Sequence, residues 1–269
     1  MNRIHIVGSG PRTGTTLLAE AMKVCFNIDC SSEHEDSICV SNYKMGKGDI
    51  ILSKYPREIE LLKWPLKVNK KLHVICIVRD PRDMICSYHG AQKDIYYAGL
   101  NNWKLFLHYH VKLKQHKRFI TVKYEDLVTS PDKIQLKIEK SIPGLVKVHP
   151  FSEYHIHAKP GEKSRDALNK IRPIEPAGIG NWKSHLPRIK QQLEVHGDIS
   201  ESLIKYGYEE DTEWVKELEN TERKDYITYT GDDKRRKRKK GELLAVANFL
   251  IEKLGLNPDK ILNPLKNGR

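Results

Sequence analysis

The stretch IHIVGSGPRTGTTLLAEAMKVCF, residues 4–26, decides the fold. It reads as strand, glycine-rich turn and helix. Residues 2–7 alternate and then turn apolar, as a short buried strand does. Leu17, Leu18, Ala21, Met22, Cys25 and Phe26 recur on one face of a helix. In the turn, Gly10 and Gly14 let backbone N–H groups approach an anion closely. The helix N-terminus adds partial positive charge. Arg12 contributes a forked, permanent cation, and Thr13, Thr15 and Thr16 carry hydroxyls. In an ATP-binding loop, G-x-x-x-x-G-K-[ST], lysine follows the second glycine. Thr15 holds that place here and Ser9 replaces the first glycine. ATP hydrolysis is disfavoured, while phosphate binding is retained.

Further strand and helix signals follow at regular intervals. DIILSK (49–54), HVICIV (73–78) and FITVKY (119–124) read as strands, the second apolar throughout, like a parallel strand buried on both faces. After HVICIV, Asp80 is placed to cap a helix and Pro81 to begin it. Ser130 and Pro131 start another helix. Strands alternating with helices predict an α/β fold of three layers, a central parallel sheet flanked by helices in the manner of P-loop kinases. Residues 144–182 are rich in Gly, Pro, His and Lys and read as a long loop region, often a functional one. Helical pattern resumes near residue 187. Residues 1–212 are expected to form the main domain, and residues 213–269 a basic linker with a C-terminal amphipathic helix. The expected stripe of that helix is Leu243, Leu244, Ala247, Leu250, Ile251 and Leu254.

The chain has 269 residues and a formal charge of +12. Seven of those positives form one run, KRRKRKK at 234–240. The remaining mild bias suits an anionic cofactor or substrate and does not demand nucleic acid. The run reads as a solvated linker or as a contact for a polyanion such as an acidic glycan, a membrane surface or nucleic acid. No apolar run reaches the length of a membrane span, and the first is too short for a signal peptide. Five cysteines without paired spacing point to reduced thiols and a cytoplasmic location. The pairs His108/His110 and His155/His157 lack a carboxylate or cysteine at ligand spacing, so no metal is expected.

A second anion site is legible in IVRDPRDMICSYH. Arg79 leaves the end of a buried strand, and Ser87 lies eight residues on, about two helical turns along one face. His89 reads as an ordinary helix residue. GPRTGTTLL resembles the 5′-phosphosulfate loop of sulfotransferases, and RDPRDMICSYH resembles their 3′-phosphate motif. VKYEDLVTSP resembles the following strand of that family, GIGNWKSHLP its glycine–tryptophan segment and YGYEED its close, so that the resemblance spans about residues 3–212.

The resemblance implies the sulfotransferase fold and the donor 3′-phosphoadenosine 5′-phosphosulfate, with Arg79 and Ser87 on its 3′-phosphate and Tyr124 near its adenine. Arg12, where many cytosolic members carry lysine, is similar to tyrosylprotein and bacterial carbohydrate sulfotransferases. In the tyrosylprotein branch a catalytic glutamate lies 21 residues after the loop arginine, which here is Glu33. A Lys-x-Pro after the next strand is matched by Lys54 and Pro56. Arg12 and Lys54 would then steady charge on the sulfonate and the departing phosphate, and Glu33 would act as base. His34 is the alternative base, and a solvated acidic loop the plain reading of residues 33–36. The Arg-Lys-Gly of cytosolic members reads Glu175, Pro176, Ala177 here, with Arg172 or Lys183 as candidate substitutes.

Tyr96, Tyr97, Trp103, His108, Tyr109 and His110 read as core aromatics or as the wall of an acceptor pocket. A carbohydrate hydroxyl is the first expectation for the acceptor, a small alcohol or phenol the second and a protein tyrosine the third. The rival classes are a P-loop nucleotide or small-molecule kinase, which wants the absent lysine, and a non-enzymatic polyanion or nucleotide binder.

Overall fold

Strands β1 (Asn2–Gly8), β2 (Cys30–Ser31), β3 (Ile50–Lys54), β4 (Leu72–Val78) and β5 (Phe119–Lys123) run parallel in the order β2-β3-β1-β4-β5. They are seen in a computed structural model that describes residues 2–40, 48–88, 90, 92, 95–230, 238–258 and 260–262. The strands expected at 2–7, 49–54, 73–78 and 119–124 are present. The two-residue β2 was not legible, because so short a strand carries no period.

The sheet is buried on both faces, so its strands alternate between two cores rather than between core and water. Ile4, Ile6, Ile75, Ile77, Ile120 and Val122 face one layer. It is built from α1 (Thr15–Cys25) and the later helices α5 (Tyr124–Thr129), α6 (Pro131–Ser141) and α7 (Tyr154–His157). Val7, Val74, Cys76 and Val78 face the other. That layer holds α2 (Lys63–Val68), α3 (Pro81–Ile85), α4 (Leu100–Leu113), α9 (Leu186–His196), α10 (Ser200–Tyr206) and α11 (Arg238–Lys253). The fold is therefore the three-layer α/β arrangement with a parallel sheet. The segment read as a long loop contains the short helix α8 (Glu162–Leu168) besides α7.

Residues beyond 212 fold back onto the body. Trp214 packs edge-on against Trp182, and Arg82 lies over both rings at 4.1 and 4.9 Å. Thr228 pairs with Tyr96 and accepts from Arg188, while Tyr229 N–H donates to the Tyr96 carbonyl at 2.8 Å. Helix α11 lies beside α2, with Ala245 in the core and Asn248 donating to the Cys39 carbonyl at 2.6 Å. His89 and residues 234–237 of the basic run lie outside the described residues. Among the described residues no helix is long and apolar enough to cross a membrane.

Candidate active site

All five strands end on, or just before, a residue singled out in the sequence. The glycine loop follows β1, residues 33–35 follow β2, Lys54 closes β3, Arg79 follows β4 and Tyr124 follows β5. Parallel sheets bind ligands at this carboxyl edge, where the chain switches direction across the sheet. Here β1, between β3 and β4, is that point.

The loop is built around three left-handed residues, Gly10 (φ 151°), Arg12 (φ 65°) and Gly14 (φ 89°). A Cβ on Gly14 would sit 2.6 Å from the Tyr124 ring, so both the backbone angle and the space demand glycine. Arg12 has no such freedom, and its conformation costs about 1–3 kcal/mol. Buried hydrogen bonds hold it. The Thr13 hydroxyl donates to the Gly10 carbonyl at 3.0 Å, and Arg79 N–H donates to the Ser9 hydroxyl at 3.2 Å. Gly14 is the N-cap of α1 and offers no side-chain acceptor. The first N–H groups of the helix are thus left for a ligand.

Arg79 ties three segments together. Its guanidinium donates to the Arg12 carbonyl at 2.7 Å and the Gly178 carbonyl at 2.6 Å, and lies 4.3 Å over the Tyr124 ring. Its Nε is buried without a partner. Burial and, next, the adjacent Arg79 charge hold the Arg12 pKa below the ordinary arginine value. The repulsion between the two charges would be relieved by an anion at the loop. The glycine–tryptophan segment is fixed by Asp83, which accepts from Gly180 N–H at 2.8 Å and Trp182 N–H at 2.9 Å. Burial pushes the Asp83 carboxyl up, against the pull of those two bonds.

Ser87 is not brought to Arg79 along a helix face. Helix α3 stops at Ile85, because Cys86 caps it, and Ser87 lies beyond. Its hydroxyl donates to the Asp83 carbonyl at 3.3 Å, and it does not line the cleft.

On the other side of β1, buried Lys54 meets Glu35 at 3.4 Å. Burial lowers the Lys54 pKa, and Glu35 offsets part of the shift. Glu35 and His34 line the cleft and Glu33 does not, although both glutamates are exposed. Only the Glu33 carbonyl is engaged, accepting from the Ser164 hydroxyl at 3.2 Å. His34 sits 3.4 Å from the same hydroxyl, and burial followed by the Lys54 charge lowers its pKa. The sequence singled out Glu33 by its spacing, with His34 as the alternative; in the structure His34 and Glu35 border the cleft.

Arg12, Thr15, Thr16, His34, Glu35, Arg79 and Tyr124 border a cleft of about 1170 Å³, with buried Lys54 behind Glu35. Its far wall comes from α8 and residues 169–175, and carries Lys163, Arg165, Lys170 and Arg172. Of the two candidate substitutes, Arg172 lines the cleft, while Lys183 pairs with Glu217 at 3.1 Å on the surface. The other three cations were missed. Their one signal was a lysine- and arginine-rich stretch within a segment of loop composition.

The aromatic group divides. Trp103, Tyr96 and His110 are core, and Tyr97 alone of that group lines the cleft, its ring 5.4 Å from Tyr229. His110 is bound between the Tyr206 hydroxyl at 2.7 Å and the Thr121 hydroxyl at 2.9 Å. Exposed His108 meets Lys112 at 3.0 Å. Among the described residues no cluster of three or more His, Cys, Asp or Glu side chains is placed to hold a metal ion.

No family model and no curated protein matches the chain. Among solved structures, it is similar to the sulfotransferase domain from the Synechococcus PCC 7002 olefin synthase, at 16% identity over 68% of this chain and 88% of that one, with a TM-score of 0.45. It is similar to mouse sulfotransferase SULT7A1 complexed with PAP at 16% identity over 76% and 89%, with a TM-score of 0.43. The sulfotransferase domain from the curacin biosynthetic pathway matches at 13% identity over 68% and 91%, with a TM-score of 0.39.

Proposed function

We propose that the chain is a sulfotransferase that moves a sulfonate group from 3′-phosphoadenosine 5′-phosphosulfate to an acceptor hydroxyl. The observation that carries the reading is the arrangement across one cleft. An uncapped helix N-terminus with Arg12 and Arg79 stands on one side of β1, and Lys54 paired with Glu35 stands on the other. The residues fit the donor. Buried, unpartnered Arg79 Nε, the free first turn of α1 and the glycines at 10 and 14 make a cradle for a multiply charged anion. Gly10, Arg12, Thr13, Gly14, Thr15 and Thr16 would hold the 5′ end. Arg79, Tyr124 and cleft-lining Arg172 would hold the nucleoside 3′ end, with Ser87 joining only through a change in its present bonding.

Such a donor supplies an activated sulfonate with a phosphate leaving group. The protein's part is positioning and charge. Lys54, buried beside the loop, places a cation where negative charge gathers. Glu35, which lines the cleft and meets buried Lys54 at 3.4 Å, is the residue we assign to take the acceptor proton. Glu33, the residue that spacing from Arg12 singles out, would need to turn inward to do so. The cleft exceeds the usual size of a small-molecule site, which leaves room for a second substrate beside the donor. Tyr97 gives that space an aromatic wall, which suits the face of a sugar ring and supports a carbohydrate acceptor. A cytoplasmic location is supported by the five free cysteines.

The test is calorimetry with adenosine 3′,5′-bisphosphate, AMP and ATP, beside transfer of radiolabelled sulfonate to a glycan library. The bisphosphate should bind at least about tenfold tighter than AMP, because a second phosphate adds charge-assisted hydrogen bonds. Equal binding of AMP and the bisphosphate, or preference for ATP, would remove the reading.

A further inference from the structure

Helix α11 packs Phe249 inward but turns a stripe of leucines away from the protein. Glu242, Ala245 and Asn248 are buried on its inner side. Leu243 and Leu250 on the outer side, and Leu254 just past the helix end, are 69, 47 and 74% exposed. With Ala247 they recur at i, i+4, i+7 and i+11, a single outward stripe. The expected amphipathic stripe is therefore split, with Leu244 and Ile251 at its margin and these three leucines facing water.

The neighbouring surface is basic and aromatic. Helix α2 runs alongside α11. A Cβ on Gly241 would meet Leu61 just before α2 at 3.2 Å, and Pro65 and Val68 share a crevice with Ala245, Val246 and Phe249. On its exposed side α2 presents Trp64, 45% exposed, with the Lys63 and Lys67 ammonium groups 5.6 and 4.9 Å from its ring centre. Lys70 and Lys71 continue the exposed surface. Residues 61–79 contain no Asp or Glu.

We infer that the face formed by α11 and α2 docks on an anionic lipid surface, with Leu243, Leu250, Leu254 and Trp64 entering the headgroup region and the lysines meeting lipid phosphates. Three features select this occupant. An apolar stripe beside a row of lysines, with an exposed tryptophan between two of them, is what an interfacial helix needs. A second copy of the chain would bring the same positive charge to the contact, and the stripe spans fewer than two heptads, too few for a coiled coil. A soluble polyanion would satisfy the lysines and leave the leucines in water. The inference is independent of the sulfotransferase reading, since none of these residues lines the cleft.

The experiment is sedimentation of the full chain with phosphatidylcholine vesicles, with and without phosphatidylserine, alongside iodide quenching of tryptophan fluorescence. Trp103, Trp182 and Trp214 are buried, so the iodide-sensitive signal reports Trp64. Binding should be at least about tenfold stronger to the anionic vesicles and fall with salt, and quenching should drop on binding. Leu250→Asp with Leu254→Asp should abolish the quenching protection and reduce binding about tenfold or more, with an unchanged circular dichroism spectrum. Lys63→Glu with Lys67→Glu should remove the preference for phosphatidylserine. Equal binding to neutral vesicles, or unchanged binding and protection in the leucine variant, would overturn the inference. So would heparin binding without vesicle binding, which would assign the face to a soluble polyanion. A dimer in ultracentrifugation that Leu250→Asp dissolves, without vesicle binding, would assign it to a second copy.

Discussion

Glu33 and Glu35 stand two positions apart and differ in what they face. Glu35 lines the cleft and meets Lys54, while Glu33 does neither. A base acts on the acceptor alone, so Glu35→Gln should keep the affinity for adenosine 3′,5′-bisphosphate and cut turnover about 100-fold or more. Glu33→Gln should leave both close to the parent. Calorimetry beside single-turnover transfer separates the two, and the reverse pattern would return the role to Glu33. Arg79→Ala carries a double penalty. It removes a charge-assisted bond to the anion, about 1.5–3 kcal/mol. It also releases the Arg12 and Gly178 carbonyls from their donors. Arg79→Lys restores the charge and not the fork, so it should recover only part of the bisphosphate affinity, and full recovery would show that charge alone suffices.

At the scale of elements, the segment that carries Glu35 is pinned from behind. Arg3 in β1 donates to the Ser37 carbonyl at 3.1 Å and the Val40 carbonyl at 2.7 Å. Glu58 accepts from Ile38 N–H at 2.7 Å, and Asn248 in α11 donates to the Cys39 carbonyl. The glycine loop has no share in these bonds. Asn248→Ala should therefore speed amide exchange in residues 33–40, leave residues 9–16 protected and keep donor affinity within about twofold. It costs about 1–2 kcal/mol of stability, because a buried carbonyl loses its donor. Uniform change across both segments in hydrogen-exchange mass spectrometry would show a global loosening instead. Gly14→Ala tests the loop itself. Its Cβ would strike the Tyr124 ring and its φ is left-handed, so bisphosphate affinity should collapse even when Tyr124→Leu makes room.

For the whole molecule, the buried histidines set the response to acid. Burial, with a smaller contribution from Lys114, lowers the His110 pKa to about 4. Its two ring nitrogens are occupied by Tyr206 and Thr121. The unfolded chain takes up a proton near pH 6.5, and the folded chain does so only near pH 4. The neutral ring's contribution to stability is thus complete above about pH 6.5 and is lost progressively as pH falls toward 4, up to about 3 kcal/mol. His5, His73 and His185 shift the same way, each chiefly by burial, and steepen the loss. Urea midpoints should fall between pH 6.5 and 4, and His110→Gln should flatten part of that slope. A slope unchanged in His110→Gln would assign the acid response to the other histidines.

The chain's local order was legible because local order is written in neighbouring residues. The period of residues 17–26, the glycines at 10 and 14, the uninterrupted apolar run of β4 and the Asp80–Pro81 cap each act within a few positions, so strand, loop and helix followed from them. In the structure their parallel run puts Arg12, Lys54, Arg79 and Tyr124 at one edge of the sheet. Tertiary structure decided what faces what. Glu35 rather than Glu33 meets Lys54, and the Glu33 carbonyl is held by Ser164, 131 positions away. Ser87 lies outside the cleft lining, past the end of α3 at Ile85, with its hydroxyl bonded to the Asp83 carbonyl. Lys163, Arg165 and Lys170 reach the cleft through packing of a segment with little period of its own. The stripe of α11 turned outward because buried Asn248 and Glu242 took the inner side. Such contacts join residues remote in the chain, and no periodicity of either partner encodes the pairing.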